Sequence, residues 1–159
     1  ASLFPEKVVN SVFKSYEVLG DIAIVSLSSA FESREKEIAQ VILSTYPALR
    51  LVAKRMGNHS GEFRIVPLQR IVGERGFATV HKEFGLHFHV DPENVYFSPR
   101  NGSERYRIAQ QVEPGERVLV MFSGIGPLAL MTGLYSEAAE IIGIEKNPHA
   151  HRLALKNKF

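Results

Sequence analysis

The order of apolar and polar positions changes character along the chain. Near the start, Val18-Leu19-Gly20-Asp21 reads as a turn, and the β-branched run from Ile22 to Leu27 behind it reads as a strand. Over 32–45 the apolar residues Ile38, Val41 and Ile42, with Tyr46 just beyond, recur at spacings of three and four, while Glu32, Glu35 and Glu37 gather toward the beginning. That spacing predicts an amphipathic helix stopped by Pro47. Strands are expected over 49–54 and 63–66, separated by the polar stretch Gly57-Asn58-His59-Ser60-Gly61. The glycine-flanked pair Gly73-Glu74-Arg75-Gly76 then suggests a joint.

Beyond the joint the period is two. Phe77, Thr79 and His81, then Leu86, Phe88 and Val90, alternate on either side of Phe84-Gly85, the pattern of a hairpin with one buried face. A helix over 103–112 leads to the turn Glu113-Pro114-Gly115-Glu116. A strand over 117–121, a glycine loop, a helix over 127–135, a strand over 140–144 and a helix from Pro148 onward follow in β-α-β-α order. The fold class is α/β: a small α/β domain over 1–74, then over 75–159 the hairpin and the beginning of a Rossmann-like parallel sheet with crossover helices. Doubly wound sheets have about five to seven strands buried on both faces, whereas only two parallel strands are expected here. Their apolar edge requires either more chain or a partner, including a second copy of this one, to cover it. Of these the reading favours a fragment of a longer protein.

Composition narrows the partners. The chain has 159 residues and is 45% hydrophobic, enough for a core. Nineteen Lys and Arg against seventeen Asp and Glu leave a charge of only +2, so any nucleic-acid contact must rest on a local patch. No cysteine occurs, which excludes disulfides and thiolate metal sites and fits a reducing compartment. No apolar run approaches the roughly 18 residues of a membrane span, and Ala1-Ser2-Leu3-Phe4-Pro5 has no signal-peptide pattern. A cytoplasmic protein is expected. His81, His87 and His89 sit on hairpin strands without convergent acids, His149 and His151 are expected in solvent, and no metal is expected.

Two motifs carry chemistry. Phe122-Ser123-Gly124-Ile125-Gly126-Pro127 follows an apolar strand and opens a helix, where glycines allow close approach to a ligand and helical N–H groups face it. Nineteen residues beyond Gly126, Glu145 ends the next strand, placed to accept hydrogen bonds from two ribose hydroxyls. With Ala129 at the position of a third glycine, this spacing alone leaves a dinucleotide and S-adenosylmethionine (SAM) equally open. The second motif, Val95-Tyr96-Phe97-Ser98-Pro99-Arg100-Asn101-Gly102-Ser103-Glu104-Arg105-Tyr106-Arg107, mixes arginines with aromatics and suits phosphate contact and base stacking. Glu104 falls in the first helical turn, where the helix dipole favours its ionised, proton-accepting form.

Together, residues 95–100 with Glu104-Arg105, and Met121 through Pro127, resemble the archaeal and eukaryotic tRNA guanine-37 N1-methyltransferase family. Residues 15–25, Gly61-Glu62-Phe63-Arg64 and His81-Lys82-Glu83-Phe84-Gly85 are also similar, so the resemblance runs from about Phe4 onward. Related aminocarboxypropyl transferases of wybutosine synthesis lack the Pro-Arg after Phe-Ser and carry an aromatic after the second glycine, so Pro99, Arg100 and Pro127 favour the methyltransferase branch. The resemblance implies SAM as cofactor and tRNA as partner. It implies Glu104 as the base that takes the guanine N1 proton, Arg64 as the cation near O6, and Tyr96 close to the base and the cofactor. It further implies Phe122, Ser123, Gly124, Gly126, Glu145 and Arg100 around the cofactor, and Arg100, Arg105 and Arg107 on RNA. Where the family has an Asp at the end of the first Rossmann strand, this chain has Val120. The family's Asn-Pro-Pro motif and its tRNA-elbow domain are expected outside the chain. A partial enzyme, or a remnant that binds RNA without catalysis, are the two readings that follow.

Overall fold

The computed structural model describes residues 12–57 and 60–158, so residues 1–11, Asn58, His59 and Phe159 lie outside the described residues. Strands β1 (Phe13–Leu19) and β2 (Ile22–Leu27) form a hairpin. A 3₁₀ segment (Ser29–Arg34) and helix α1 (Glu35–Thr45) cross over to β3 (Leu51–Arg55), parallel to β2, and β4 (Leu68–Gly73) adds antiparallel to β3. The sheet order is β1-β2-β3-β4.

Because β2 is central, both of its faces are buried, which is why its sequence is a continuous apolar run rather than an alternation. Ala23, Val25 and Leu27 pack with Ala39 and Ile42 under α1. Ile22 and Ile24, with Leu19, Leu51 and Ala53, pack on the opposite face against Phe77, Phe88, Val95, Ile125 and Met131 from the second half of the chain. The buried set therefore crosses residue 74 without a break.

A polar latch sits at the same junction. The Asp21 carboxylate accepts from the Thr79 hydroxyl at 2.7 Å and from Arg50 Nε at 3.0 Å, and Arg50 also donates to the carbonyls of Gly76 and Ala78. Gly20, in the β1–β2 turn at φ +57°, is required here: a Cβ would stand 2.1 Å from Thr79 Oγ1.

Two expectations for this half fail. The predicted strand over 63–66 is a turn in which Arg64 takes a left-handed φ of +52°, followed by a single bridge, Ser60 to Ile65. The strand lies instead at Leu68–Gly73, an edge position where exposed Gln69 and Arg70 sit between the half-buried Leu68 and Ile71-Val72, so the sequence carries little period-two signal. The predicted helix over 32–45 also starts later, because Glu32 belongs to the 3₁₀ segment.

In the second half, β5 (Thr79–Glu83) and β6 (Leu86–Val90) form the expected hairpin about Phe84-Gly85, with both turn residues at positive φ. A short 3₁₀ turn (Pro99–Asn101) enters α2 (Gly102–Ala109). Then β7 (Arg117–Met121), α3 (Pro127–Tyr135), parallel strand β8 (Glu140–Ile144) and α4 (Pro148–Asn157) complete the series. Asn157 ties α4 to the rest: its side chain accepts from His89 N–H at 2.8 Å and donates to the Ile125 carbonyl at 3.1 Å.

Leu119 pairs with Ile142 and Met121 with Ile144, and all four are exposed, so β7–β8 presents an apolar patch on one face to solvent, beside the Arg117–Glu140 ion pair, rather than only an edge. Among the described residues, no helix is long and apolar enough to cross a membrane.

Candidate functional site

The β7–α3 loop is built by its own hydrogen bonds. Ser123 N–H donates to the Ile144 carbonyl at 2.9 Å, and Gly126 N–H donates back to Ser123 at 2.9 Å. Gly143 lets the loop lie on β8, since a Cβ there would come within 3.0 Å of Ser123 Oγ. Gly124 and Gly126 take φ +57° and +85°, conformations that suit glycine. Phe122 also takes a left-handed φ, +53°, and its ring is 85% exposed. Such strain in a bulky residue is characteristic of binding loops.

Glu145, at the end of β8, clasps this loop. One carboxylate oxygen accepts from Gly124 N–H at 2.7 Å and the other from Asn147 N–H at 2.6 Å. Asn147 in turn caps α4, accepting from His149 N–H at 2.9 Å, and donates to the Asn94 carbonyl at 2.8 Å. The acid is thereby oriented from two sides, with each oxygen retaining acceptor capacity for a hydroxyl.

Above the loop lies a cavity of about 500 Å³ lined by Arg64, Tyr96, Phe122, Gly124, Glu145 and Asn147, among others. The Arg64 guanidinium stands over the Tyr96 ring, 5.9 Å from its centroid, and Tyr96 is 42% exposed. A Lys146–Glu62 ion pair spans the rim between the two halves of the chain. Residues from turn 61–64, from the segment before α2 and from the ends of β7 and β8 thus converge on one hollow. Two other hollows, on the outer side of α1 and beside Lys54 and Arg55, lack a glycine loop.

The arginine-rich segment behaves differently. Glu104 does not line the cavity; it sits fully exposed in the first turn of α2, paired with Arg107 at 2.7 and 2.8 Å. The hydrogen bond from Arg107 holds its carboxyl below the usual range.

Arg105, expected on RNA, is only 8% exposed: it grips Glu83 with two nitrogens, donates to the Ser98 carbonyl and stacks over Phe97 at 5.0 Å. It is a core residue, because the helical period turns position 105 inward and positions 104 and 107 outward. Gly102 leaves room for this pair, since a Cβ would sit 2.9 Å from Glu83 Cδ. Arg100, expected at both cofactor and RNA, donates to the Tyr16 carbonyl at 3.1 Å and lies outside the cavity lining.

Ser123 is buried beneath the loop and supports it rather than facing the hollow. Val120 is buried and apolar, so no carboxylate stands at the end of β7.

His81 accepts the Gly20 N–H through Nδ1 at 3.3 Å, which assigns the proton to Nε2, on the side of Glu83. Burial pushes its pKa down, against the opposing pull of Glu83.

Glu62, Lys146 and Asn147 join the site although the sequence marks none of them as a site residue. The Asn-Pro opening of α4 is a cap signature that marks Asn147. Glu62 and Lys146 are 84 positions apart, so no local pattern pairs them.

Comparisons with known proteins converge on this region. The family model described as TRM5/TYW2 methyltransferase domain matches residues 79–158, and the TYW2 N-terminal domain model matches residues 1–76. A tRNA (guanine(37)-N(1))-methyltransferase of Methanocaldococcus jannaschii is 38% identical over 144 residues, 90% of this chain and 42% of that protein. The solved complex of aTrm5 with tRNALeu superposes with a TM-score of 0.82 at 36% identity, covering 96% of this chain and 45% of that one. The structure of Pyrococcus horikoshii TYW2 in complex with MeSAdo gives a TM-score of 0.73 at 30% identity, covering 98% and 54%. The chain spans about half the length of the curated relatives it matches.

Proposed function

The chain belongs to the TRM5/TYW2 methyltransferase family, and on that premise we propose that its cavity takes the adenosyl end of SAM in a tRNA-modifying methyl transfer to N1 of guanine 37. The observation that carries this is the convergence of Arg64, Tyr96, Gly124 and Glu145 on one hollow of about 500 Å³.

The residues present fit such a ligand. Glu145 offers a held carboxylate to the two ribose hydroxyls, and at Gly124 an added Cβ would meet only the Tyr96 carbonyl, at 3.9 Å, so the loop is open for close approach. The exposed Phe122 ring offers an apolar surface at the rim. Val120 contributes no polar anchor for the methionine end, so affinity rests on the adenosyl contacts.

When bound, SAM supplies an electrophilic methyl group. Arg64 places a cation beside Tyr96, where it would steady the charge that develops on guanine O6 when N1 loses its proton. Tyr96 orients that cation and walls the hollow. In this reading Glu104 accepts the N1 proton; it is already ionised, and its exposed pairing with Arg107 is of the weak kind that releases readily. RNA is the natural competitor for Arg107, because a phosphate would draw the guanidinium away and free the base. Arg100, exposed on the Tyr16 carbonyl, is likewise placed for phosphate contact. The apolar face formed by Leu119, Met121, Ile142 and Ile144 supports association with a second copy, which light scattering across a concentration series tests.

A second reading, a chain that binds RNA without catalysis, is favoured by Val120 and by the place of Glu104 outside the cavity lining. Incubation with labelled SAM and an unmodified tRNA carrying guanine 37, followed by nucleoside mass spectrometry, decides among the outcomes. 1-Methylguanosine supports the proposal. An aminocarboxypropyl adduct assigns the related chemistry, and bound RNA without product supports the second reading.

A further inference from the structure

The tip of the β5–β6 hairpin lies at the C-terminal end of α3, the end opposite the one that follows the glycine loop, and no step above uses it. Phe84 occupies the first central position of its two-residue turn at φ +45°, with Gly85 at +76°. Asn, Asp or Gly takes this conformation cheaply, whereas an aromatic does not. A core role does not account for the choice, since the Phe84 ring is 39% exposed.

The ring is nevertheless held rigidly. It stacks on Tyr106 with centroids 4.7 Å apart and planes 4° from parallel, and Tyr135 meets Tyr106 edge-on at 4.8 Å. The Tyr135 hydroxyl donates to the Phe84 carbonyl at 2.8 Å, and Gln110 donates to the Tyr106 hydroxyl at 3.0 Å. With one ring face covered by Tyr106, the exposure falls on the remainder, so the fold presents an oriented aromatic surface at low entropic cost.

The exposed charge on the hairpin beside it is positive. Lys82 and His87 are exposed and face each other across the hairpin, while its single acid, Glu83, is buried and neutralised by Arg105. An open aromatic face beside a lysine and a histidine, with no exposed acid on the hairpin, is a composition that suits a nucleobase and its flanking phosphates.

We propose that Phe84 is a stacking platform for an unpaired nucleobase of bound RNA, with Lys82 and His87 on the adjacent backbone. This rests on the reading of the chain as an RNA-binding protein and adds a contact remote from the glycine loop.

Because the chain has no tryptophan, Phe84→Trp creates a single fluorescent reporter. Titration with a single-stranded oligoadenylate of about ten nucleotides, a usual site size for such surfaces, should quench it saturably. Phe84→Asn suits the turn better and should melt no lower than wild type, yet bind the fluorescein-labelled oligonucleotide about tenfold more weakly, the size of one lost base stack. Equal binding by Phe84→Asn, or an unquenched tryptophan in an RNA complex, overturns the platform and leaves the RNA reading standing. Quenching that tracks protein concentration without RNA assigns the surface to a second copy and also overturns it. If wild type binds neither this oligonucleotide nor tRNA, the platform and the RNA reading fall together.

Discussion

The glycine-loop rim and the arginine-rich segment before it are equally suggestive as sequence, yet the fold uses them in opposite ways. At the rim, polar groups are spent on holding a hollow open: Glu145 bridges Gly124 and Asn147, and Arg64 leans over Tyr96. Along α2, charges are spent on one another: Arg105 on buried Glu83, and Arg107 on Glu104. A charge that the fold satisfies internally is unavailable to a ligand until that pairing opens, and burial decides how much opening costs.

The largest effect that sharpens this contrast is expected from Arg105→Ala. It strands the Glu83 carboxylate in the core and should cost about 3–5 kcal/mol of stability, read by chemical denaturation. A loss below about 1 kcal/mol, the scale of an exposed pair, would erase the distinction between Arg105 and Arg107.

Next is Glu145→Ala, which should weaken SAM binding at least about tenfold, the scale of hydrogen bonds to a charged group. The change in melting temperature should be smaller than that of Arg105→Ala. The reverse ranking would make Glu145 a structural residue and Arg105 a functional one.

His81 supplies a pH test of the junction. Its folded pKa is depressed, so at pH above the ordinary value of about 6.5 both folded and unfolded forms are neutral and it contributes no slope. Below that value the unfolded chain binds the proton first, so stability should fall with pH until the folded-state pKa is passed. A proton-NMR titration should place the His81 midpoint below the ordinary value of about 6.5, and a midpoint at or above that value would contradict the burial of this ring at its hydrogen bond to Gly20.

The smallest effect belongs to Arg107→Ala. It should leave the denaturation midpoint essentially where it is, as surface substitutions do, while raising the Glu104 pKa toward the ordinary carboxylate range, visible by NMR.

What was legible in the sequence was local. The buried run Ile22–Leu27, the hairpin about Phe84-Gly85 and the β-α-β order around Gly124 each carry their signal within a few residues, and each appears as expected. Strand β4 was missed because an edge strand need not alternate, and residues 63–66 were misread because their apolar letters sit in a turn that Gly61 and Arg64 bend through positive φ. The arginines share a residue type and differ only in the face of α2 or the neighbour that receives them. Arg105 meets Glu83 across 22 positions and Arg100 meets Tyr16 across 84, distances at which sequence spacing has no say. The same holds for the Lys146–Glu62 pair at the cavity rim.

In the proposed function the hollow between Arg64, Tyr96, Gly124 and Glu145 is a receptor for an adenosyl group. Calorimetric titration of the wild-type chain with SAM tests it most directly. Saturable binding at one site, displaced by S-adenosylhomocysteine, is the predicted result. Absence of heat, confirmed by absence of adenosine-induced shifts at Gly124 and Glu145 in NMR spectra, would contradict it.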